Sequence, residues 1–164
     1  MVKKKILTYQ QLEKVVKAHR DLNHSIVLTQ GTFDMVHVGH ARYLHDAKAN
    51  GDILIVGVDS DEKVRERKGE SRPIVPEEER VEILTYFSSV DYVVIKSVKA
   101  AKWSLIKLVR PEVLIVTQDA YSDDEISQLK QFCGRVEILG RRALTSTSAK
   151  IRQVQLCLAK AKHE

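Results

Sequence analysis

The chain has 164 residues, of which 43% are hydrophobic and 30% are charged, and its formal net charge is +5. This length supports one domain with a substantial core, and this composition excludes a disordered polypeptide. No apolar run approaches the roughly 18 residues that a membrane span needs, and we find no secretory leader. Two cysteines are too few for a disulfide framework. We therefore expect a cytoplasmic protein with no membrane contact.

The positive charge is compatible with two kinds of partner, nucleic acid or phosphorylated small molecules. Only 5% of the residues are aromatic, and the lysines and arginines form no dense stripe with interleaved aromatic side chains. The composition therefore favours phosphorylated small molecules over nucleic acid.

Hydrophobic periodicity predicts helices and strands that alternate along the chain. Thr8 can cap a first helix at about 8–20, which precedes a strand at 25–29. The elements predicted after this strand are, in order, a helix from Val38 to Asn50, a strand at 52–58, a helix from Pro76 to Phe87, a strand at 92–95, a helix at 100–109, a strand at 113–116, a helix from Asp123 to Cys133, a strand at 136–139 and a final helix at about 146–162.

This alternation predicts a single α/β domain over residues 1–164. Strands that alternate with helices pair in parallel, and the helices cover both faces of the sheet. We expect a Rossmann-like three-layer sandwich with a five-stranded parallel sheet in the order 3-2-1-4-5. Ligands bind such sheets at the carboxyl ends of the strands, where the strand order reverses. The polar loops after strands one, two, four and five should therefore meet at one site.

The segment from Ile26 to His45 joins an apolar strand to a helix through a polar loop. A helix start favours a phosphate because its backbone N–H groups are unpaired and lie at the positive end of the dipole. His37 and His40 can both face that phosphate and donate hydrogen bonds, more strongly when protonated. No Cys or carboxylate stands at metal-ligand spacing beside them, which argues against zinc. The plain alternative is a pair of solvated surface histidines.

The ten residues GTFDMVHVGH, Gly31 to His40, resemble the signature of the nucleotidyltransferase superfamily, in which Gly-Thr-Phe-Asp precedes His-x-Gly-His after the first strand. The resemblance implies that His37 and His40 are catalytic and contact nucleotide phosphates. It also implies Mg²⁺ bound to the triphosphate, a homodimer, and Asp34 as a candidate near the metal. The nucleotide-binding residues that it implies in this segment are Gly31, Thr32, Phe33, Asp34, His37, Gly39 and His40.

A second candidate segment is basic and follows the second predicted strand, and it contains Lys63, Arg65, Arg67, Lys68 and Arg72. A basic loop over a strand end can clamp a triphosphate, although a solvated charged surface has the same composition. The stretch KGESRP, with Glu-x-Arg after it, resembles bacterial ADP-heptose synthases, and this likeness extends from Thr8 to Arg152. It implies AMP transfer from ATP to a phosphorylated sugar, with Arg65 catalytic and Arg72 and Arg80 binding the substrate.

A third candidate segment precedes the last helix, where Arg141 is followed by Thr-Ser-Thr-Ser. Hydroxyls at a helix start can bind phosphate, or they can simply cap the helix. The stretch is similar to the Ile-Ser-Thr-Thr motif of cytidylyltransferases. The similarity implies that the triphosphate contacts Arg141, Ser146, Thr147 and Ser148.

The loop after the fourth predicted strand departs from the related families. ADP-heptose synthases have Gly-Gly-Asp-Tyr there and glycerol-3-phosphate cytidylyltransferases have Gly-Asp-Asp-Trp, whereas this chain has Gln118-Asp119-Ala120-Tyr121. We expect Gln118 and Asp119 to contact the base. ATP is favoured over CTP because the longer match is to the adenylyl-transferring enzymes.

Several other functions stay open at this point. They are a CTP-dependent cytidylyltransferase acting on glycerol 3-phosphate or a similar phospho-alcohol, an FMN adenylyltransferase, and a nucleotide sensor that has lost transfer. His-x-Gly-His also occurs in class I aminoacyl-tRNA synthetases. This chain has no Lys-Met-Ser-Lys-Ser-like loop, which argues against that class.

Overall fold

The computed structural model describes residues 4–118, 120–140 and 147–161, the last four of them by their backbone alone. In chain order, the elements are β1 (Ile6–Leu7), α1 (Tyr9–Asp21), β2 (Ile26–Gly31), α2 (Val38–Lys48), β3 (Ile53–Asp59), α3 (Asp61–Lys68), α4 (Glu77–Thr85), β4 (Tyr92–Lys96), α5 (Ser104–Val109), β5 (Val113–Thr117), α6 (Asp123–Leu129), β6 (Arg135–Leu139) and α7 (Thr147–Ala161). The predicted α/β class is confirmed.

The strands form one parallel sheet in the order β1-β4-β3-β2-β5-β6. The prediction of five strands is wrong, because β1 adds a sixth at the edge, where Ile6 and Leu7 pair with Val93 and Val94. A strand of two residues is too short to show a periodic pattern in the sequence. The other five strands keep the predicted relative order, which reverses at β2. The ligand edge of the sheet is therefore centred on the loop that follows β2.

Helices cover both faces of the sheet, which makes three layers. α2 and α4 supply one core with Tyr43, Leu44, Val81 and Leu84 among its buried residues. α1, α5 and α6 supply the other core, whose buried residues include Leu12, Val16, Leu105, Ile106 and Leu129. All of β3 is buried, as expected for a central parallel strand. Each fully buried Leu or Val contributes roughly 1.5–3 kcal/mol, so these two cores hold the sheet and fix its loops.

Side-chain caps position the helix starts that border the ligand edge. Ser60 accepts a hydrogen bond from Lys63 N at 3.3 Å and starts α3. The basic segment that the sequence suggested was a loop is therefore a helix. It ends at Gly69, whose φ of +90° suits glycine because a Cβ would be strained there. In the part of the chain that the structure describes, no helix has the length and apolar character needed to cross a membrane.

Candidate active site

The loops at the carboxyl ends of the strands surround a cavity of about 1170 Å³. The predicted convergence of the polar loops is confirmed, since the segments after β2, β3, β5 and β6 contribute Asp34, Lys63, Tyr121 and Gly140 to the lining. The residues that line it from the predicted set are Gly31, Thr32, Phe33, Asp34, His37, Gly39, His40, Arg72, Thr147 and Ser148. The segments after β2, β3 and β5 thus meet the start of α7 at one place.

The two histidines at the start of α2 are held by backbone hydrogen bonds. Nδ1 of His37 accepts the N–H of Gly39 at 3.1 Å, and Nδ1 of His40 accepts the N–H of His37 at 3.3 Å. Their ring centroids are 4.2 Å apart. Because each Nδ1 acts as an acceptor, the proton of each neutral ring is on Nε2. The pair therefore offers two Nε2–H donors, which suits phosphate oxygens.

Both histidines are neutral at pH 7 in the free protein. Burial lowers the pKa of His40 to about 4, and His37, Lys150 and Lys68 add to this shift. Burial and Lys150 also lower the pKa of His37. In the free protein the rings therefore donate in their neutral form, without the added strength that protonation would give. A bound phosphate would raise both pKa values because it supplies negative charge.

Asp34, in the loop after β2, forms hydrogen bonds with the loop after α3. Its carboxylate accepts hydrogen bonds from Arg72 Nε at 2.9 Å and from the N–H groups of Ile74 and Val75 at 3.1 and 3.0 Å. Burial opposes its ionisation, but these donors hold the pKa of Asp34 below its usual value. The Asp34 carbonyl accepts from Thr147 Oγ1 at 2.8 Å. Asp34 therefore holds three segments of the site together.

These contacts bear on the candidate metal site. Both carboxylate oxygens of Asp34 already accept hydrogen bonds, so a metal ion would have to displace donors from this residue. Within residues 4–118, 120–140 and 147–161, no group of three or more His, Cys, Asp or Glu side chains could hold a metal ion. The described residues therefore do not fit a magnesium site held by protein ligands alone.

Phe33 supports the histidine pair from the core side. Its side chain is buried, and its ring centroid lies 5.6 Å from that of His40. Phe33 and Met35 have φ values of 52° and 48° on either side of Asp34. Such left-handed backbone costs roughly 1–3 kcal/mol for each non-glycine residue and is concentrated at functional sites. The strain indicates that the surrounding structure fixes the orientation of Asp34.

The basic helix α3 presents one side to the cavity. Lys63 and Arg67 lie four residues apart on that side, and both line the cavity with Lys68 at the helix end. Arg65 instead lines a separate depression together with Glu62, Glu77 and Glu78. Arg65 lies two residues from both Lys63 and Arg67. Side chains two residues apart in a helix do not share a face, so that of Arg65 is turned away from the cavity. The position of Arg65 therefore does not fit its predicted role, and the cations of α3 that line the cavity are Lys63, Arg67 and Lys68.

Arg80 is completely buried and has a structural set of partners. It donates to the carbonyl oxygens of Thr32, Asp59 and Val75 and to the carboxylate of Asp61. With 0% of its side chain exposed, it cannot contact a substrate in this structure. Arg80 joins the loops after β2 and β3 to the loop before α4. Its predicted substrate contact is therefore replaced by a positioning role.

Four predicted nucleotide contacts are not among the residues that line the cavity. Asp119, Arg141 and Ser146 lie outside the described residues. Gln118 is exposed and lies in the turn after β5, and the cavity lining from that loop comes from Thr117, Ala120 and Tyr121 instead.

Sequence analysis missed an ion-pair cluster in the cavity. Asp59 is buried at the end of β3 and accepts from Lys96 Nζ at 3.0 Å and from Arg67 Nη2 at 2.8 Å. Burial opposes ionisation of Asp59, but Lys96 and Arg67 lower its pKa. Each of Asp59 and Lys96 is the last residue of its strand. A charged residue ending a buried strand is the signal that would have identified them.

Four aromatic residues that sequence analysis did not assign to the site also line the cavity, and they are Tyr9, Tyr43, Trp103 and Tyr121. Trp103 precedes α5 with a φ of 61°, and Lys102 Nζ lies 4.5 Å from its ring centroid. Burial raises the pKa of Tyr121 to about 12, so its hydroxyl stays protonated. The cavity thus has an aromatic wall as well as a cationic one.

A parallel sheet with a glycine-containing loop and a paired-histidine helix start at its reversal point is the architecture of a nucleotidyltransferase. The cytidylyltransferase-like family matches residues 28–159. The chain belongs to this family, and it is a nucleotidyltransferase.

Curated relatives include the bifunctional protein HldE of Aliarcobacter butzleri, which is 37% identical over 153 residues, covering 93% of this chain and 32% of that protein. HldE of Wolinella succinogenes is 40% identical over 153 residues, covering 92% of this chain and 31% of that protein. This chain therefore spans about a third of the length of these curated relatives. The resemblance to ADP-heptose synthases noted in the sequence is borne out at the level of this family.

Solved structures show the same fold. The lipopolysaccharide core biosynthesis protein of Thermoplasma volcanium is 25% identical, with a TM-score of 0.61, and the match covers 74% of this chain and 99% of that one. Pantoate-beta-alanine ligase of Francisella tularensis, in complex with beta-gamma ATP and beta-alanine, is 14% identical with a TM-score of 0.63, covering 85% of this chain and 68% of that one. The second likeness concerns the fold alone.

Proposed function

We propose that this nucleotidyltransferase transfers AMP from ATP to a phosphorylated sugar similar to heptose 1-phosphate and releases pyrophosphate. The similarity to HldE over most of this chain supports the choice. The observation that carries the proposal is the histidine pair, whose two Nε2–H donors face a cavity lined by Lys68 and Arg72. Neutral donors and fixed cations together suit a reaction in which negative charge spreads over phosphates.

The transfer needs no covalent enzyme intermediate. An oxygen of the acceptor phosphate attacks the α-phosphorus of ATP. The new P–O bond forms as the bond to the bridging oxygen breaks, and pyrophosphate leaves with the electron pair. The enzyme contributes positioning and charge neutralisation. His37 and His40 donate to the α- and β-phosphates, and Lys68 and Arg72 balance the charge at the transition state.

The two substrates enter from opposite sides of β2. The base and ribose lie toward β5 and β6, near Thr117 and Tyr121, in the loop for which the sequence predicted base contacts by Gln118 and Asp119. The β- and γ-phosphates reach the start of α7, where Arg141, Ser146, Thr147 and Ser148 bind them. The acceptor lies toward β3 and β4. Because β2 separates β3 from β5 in the sheet, this arrangement brings the two reacting phosphates together above the histidines.

Mg²⁺ enters with the nucleotide. The described residues offer no cluster of protein ligands for it, and magnesium commonly binds triphosphates while keeping several waters. We assign it to the substrate complex. The protein works in the cytoplasm as a homodimer, with no nucleic-acid or membrane partner.

A second candidate is a CTP-dependent enzyme that acts on glycerol 3-phosphate. The Thr-Ser-Thr-Ser stretch before α7 favours it, and Thr147 of that stretch lines the cavity. FMN adenylyl transfer is a third possibility. A nucleotide sensor is the non-enzymatic one, in line with the altered loop at Gln118.

One assay separates these functions. Pyrophosphate release is measured with ATP or CTP and Mg²⁺ in the presence of heptose 1-phosphate, glycerol 3-phosphate or FMN. We expect ATP with heptose 1-phosphate to be the fastest pair. Faster release with CTP and glycerol 3-phosphate would replace the proposal by the cytidylyltransferase. Tight nucleotide binding in calorimetry with no release from any pair would identify a sensor.

A further inference from the structure

The cavity continues beyond the phosphate region to the edge of the sheet formed by β1 and β4. Leu7 of β1 pairs with Val94 of β4. Tyr9 and Lys96 each follow two residues later, so they leave neighbouring parallel strands at the same end. Both side chains line the cavity. This end lies on the β3 and β4 side of the histidines, opposite the loops assigned to the nucleotide.

The Tyr9 hydroxyl is a buried polar group without a partner among the described residues. A buried hydroxyl that has lost its hydrogen bonds to water destabilises the folded protein unless another group replaces them. Nearly all such groups in native proteins find a partner in protein, water or ligand. The hydroxyl of a cavity-lining tyrosine is therefore available to a bound molecule.

Lys96, which lines the same cavity, is held in one position. Its side chain is 16% exposed, and Nζ donates to Asp59 Oδ1 at 3.0 Å. A Cβ added at Gly57 would lie 2.9 Å from the Cδ atom of Lys96. Because glycine has no side chain, Gly57 leaves room for the lysine to pass over β3. An ammonium has three N–H donors, and this bond uses one of them. The remaining donors can reach a molecule in the cavity.

Lys96 and Tyr9 offer hydrogen-bonding groups of the kind that alcohol groups use. Asp59 accepts from Lys96 and from Arg67 within direct hydrogen-bond distance, so one carboxylate is shared between two cations. Lys68 lines the cavity near the histidines, and a phosphate there also meets their two Nε2–H donors. The Lys96 ammonium and the Tyr9 hydroxyl therefore suit the alcohol groups of a ligand whose phosphate lies at the histidines.

We propose that Tyr9 and Lys96 form a subsite that binds hydroxyl groups of a polyhydroxylated acceptor, with Asp59 as the residue that positions Lys96. This inference rests on the proposed function, because it names the acceptor end of the same cavity. Heptose 1-phosphate, glycerol 3-phosphate and FMN all carry such hydroxyls. The subsite therefore selects a polyol phosphate over a simple phosphate ester.

The test uses Tyr9→Phe and Lys96→Met, with the exposed residues Tyr86 and Lys17 changed in the same way as controls. We expect the acceptor KM to rise about tenfold in each subsite variant, the factor expected for one lost hydrogen bond. The nucleotide KM should stay within twofold. Inhibition by methyl phosphate, which has no alcohol hydroxyl group, should be the same in both variants as in wild type.

Stability provides a second readout for Tyr9. Because phenylalanine lacks the unpaired hydroxyl, Tyr9→Phe should unfold at the same temperature as wild type or higher in the absence of ligand. Weaker acceptor binding in a protein of equal or greater stability cannot be a folding defect. Lys96→Met also removes one hydrogen-bond partner of Asp59. Its effect on the acceptor KM is therefore interpreted only together with the result for Tyr9→Phe.

The outcomes separate this inference from the proposed function. Wild-type turnover with an unchanged acceptor KM in both variants would overturn the subsite and leave the function standing. An equal loss of methyl phosphate inhibition would show that the subsite takes the phosphate, and would also overturn it. If wild type shows no turnover, calorimetry with heptose 1-phosphate and glycerol 3-phosphate decides. If wild type binds either ligand and Tyr9→Phe binds it more weakly, the subsite is supported although the proposed function fails. If wild type binds neither ligand, both the subsite and the proposed function are overturned.

Discussion

Arg72 Nε donates to Asp34 Oδ2 at 2.9 Å, and Arg72 Nη2 lies 2.7 Å from the same oxygen, in an ion pair whose side chains are 11% and 1% exposed. The pair joins residues that are 38 positions apart in the chain. It gives the loop after α3 a fixed position against the loop after β2. A charge-assisted hydrogen bond between two buried side chains is stronger than a neutral one and restrains both groups.

The first prediction separates a positioning role of Asp34 from a metal-binding role. Asp34→Asn weakens the hold on Arg72 while keeping the side-chain shape. We expect kcat to fall at least about tenfold. The Mg²⁺ concentration that gives half of the maximal rate should stay unchanged. Magnesium titrations of turnover provide the measurement, with exposed Asp21→Asn as the control. A large rise in the magnesium requirement would restore Asp34 as a metal ligand.

The second prediction concerns the donors at the start of α2. His40→Ala removes one Nε2–H donor, and we expect kcat to fall by about a hundredfold, as for other donors to a charged transition state. His45, exposed on the same helix, is the matched control and should tolerate Ala. Both variants should show the circular dichroism of wild type. A folded His40→Ala enzyme with nearly normal turnover would exclude this mechanism.

The third prediction follows from the titration of His40. Burial lowers the pKa of His40 from 6.5 to about 4 in the folded protein. Between these values the unfolded chain binds a proton that the folded protein does not, so stability falls as the pH falls from about 6.5 to about 4. His40→Gln should make the unfolding temperature less sensitive to pH over pH 7.5 to 5. Parallel pH profiles for the two proteins would contradict the pKa assignment.

The fourth prediction compares two cations of the basic helix. Lys68 lines the cavity and Arg65 does not. Lys68→Ala should therefore lower kcat by about ten- to a hundredfold with a smaller change in nucleotide Kd, since a contact made at the transition state acts on rate. Arg65→Ala should remain within about threefold of wild type. The reverse ranking of the two variants would favour the assignment made from sequence resemblance.

The fifth prediction assigns Arg80 to stability. Arg80→Lys cannot supply donors to all four acceptors, and each buried carbonyl left without one costs roughly 1–3 kcal/mol. We expect the free energy of unfolding in urea to fall by about 3 kcal/mol, with exposed Arg135→Lys as the control. A variant of normal stability with a raised acceptor KM would instead support the substrate contact predicted from sequence.

The sequence determined the class of fold because burial leaves a periodic record in the chain. The apolar run of β3 indicated a strand covered on both faces, and the structure buries all seven of its residues. Gly31, His37 and His40 were identifiable because the loop, the helix start and both imidazoles lie within ten residues. Local hydrogen bonds fix this part of the site, so local sequence was enough to predict it.

Only the tertiary structure decided which charged residues belong to the cavity. Arg65 and Lys68 belong to one basic run, and the orientation of α3 against the sheet separates them. Arg80 was predicted to bind substrate, but its partners come from three separate segments and enclose it completely. Asp59 and Lys96 lie 37 residues apart and meet because β3 and β4 pair side by side. Contacts between distant segments leave no periodic signal, since they depend on how the packed layers bring strand ends together.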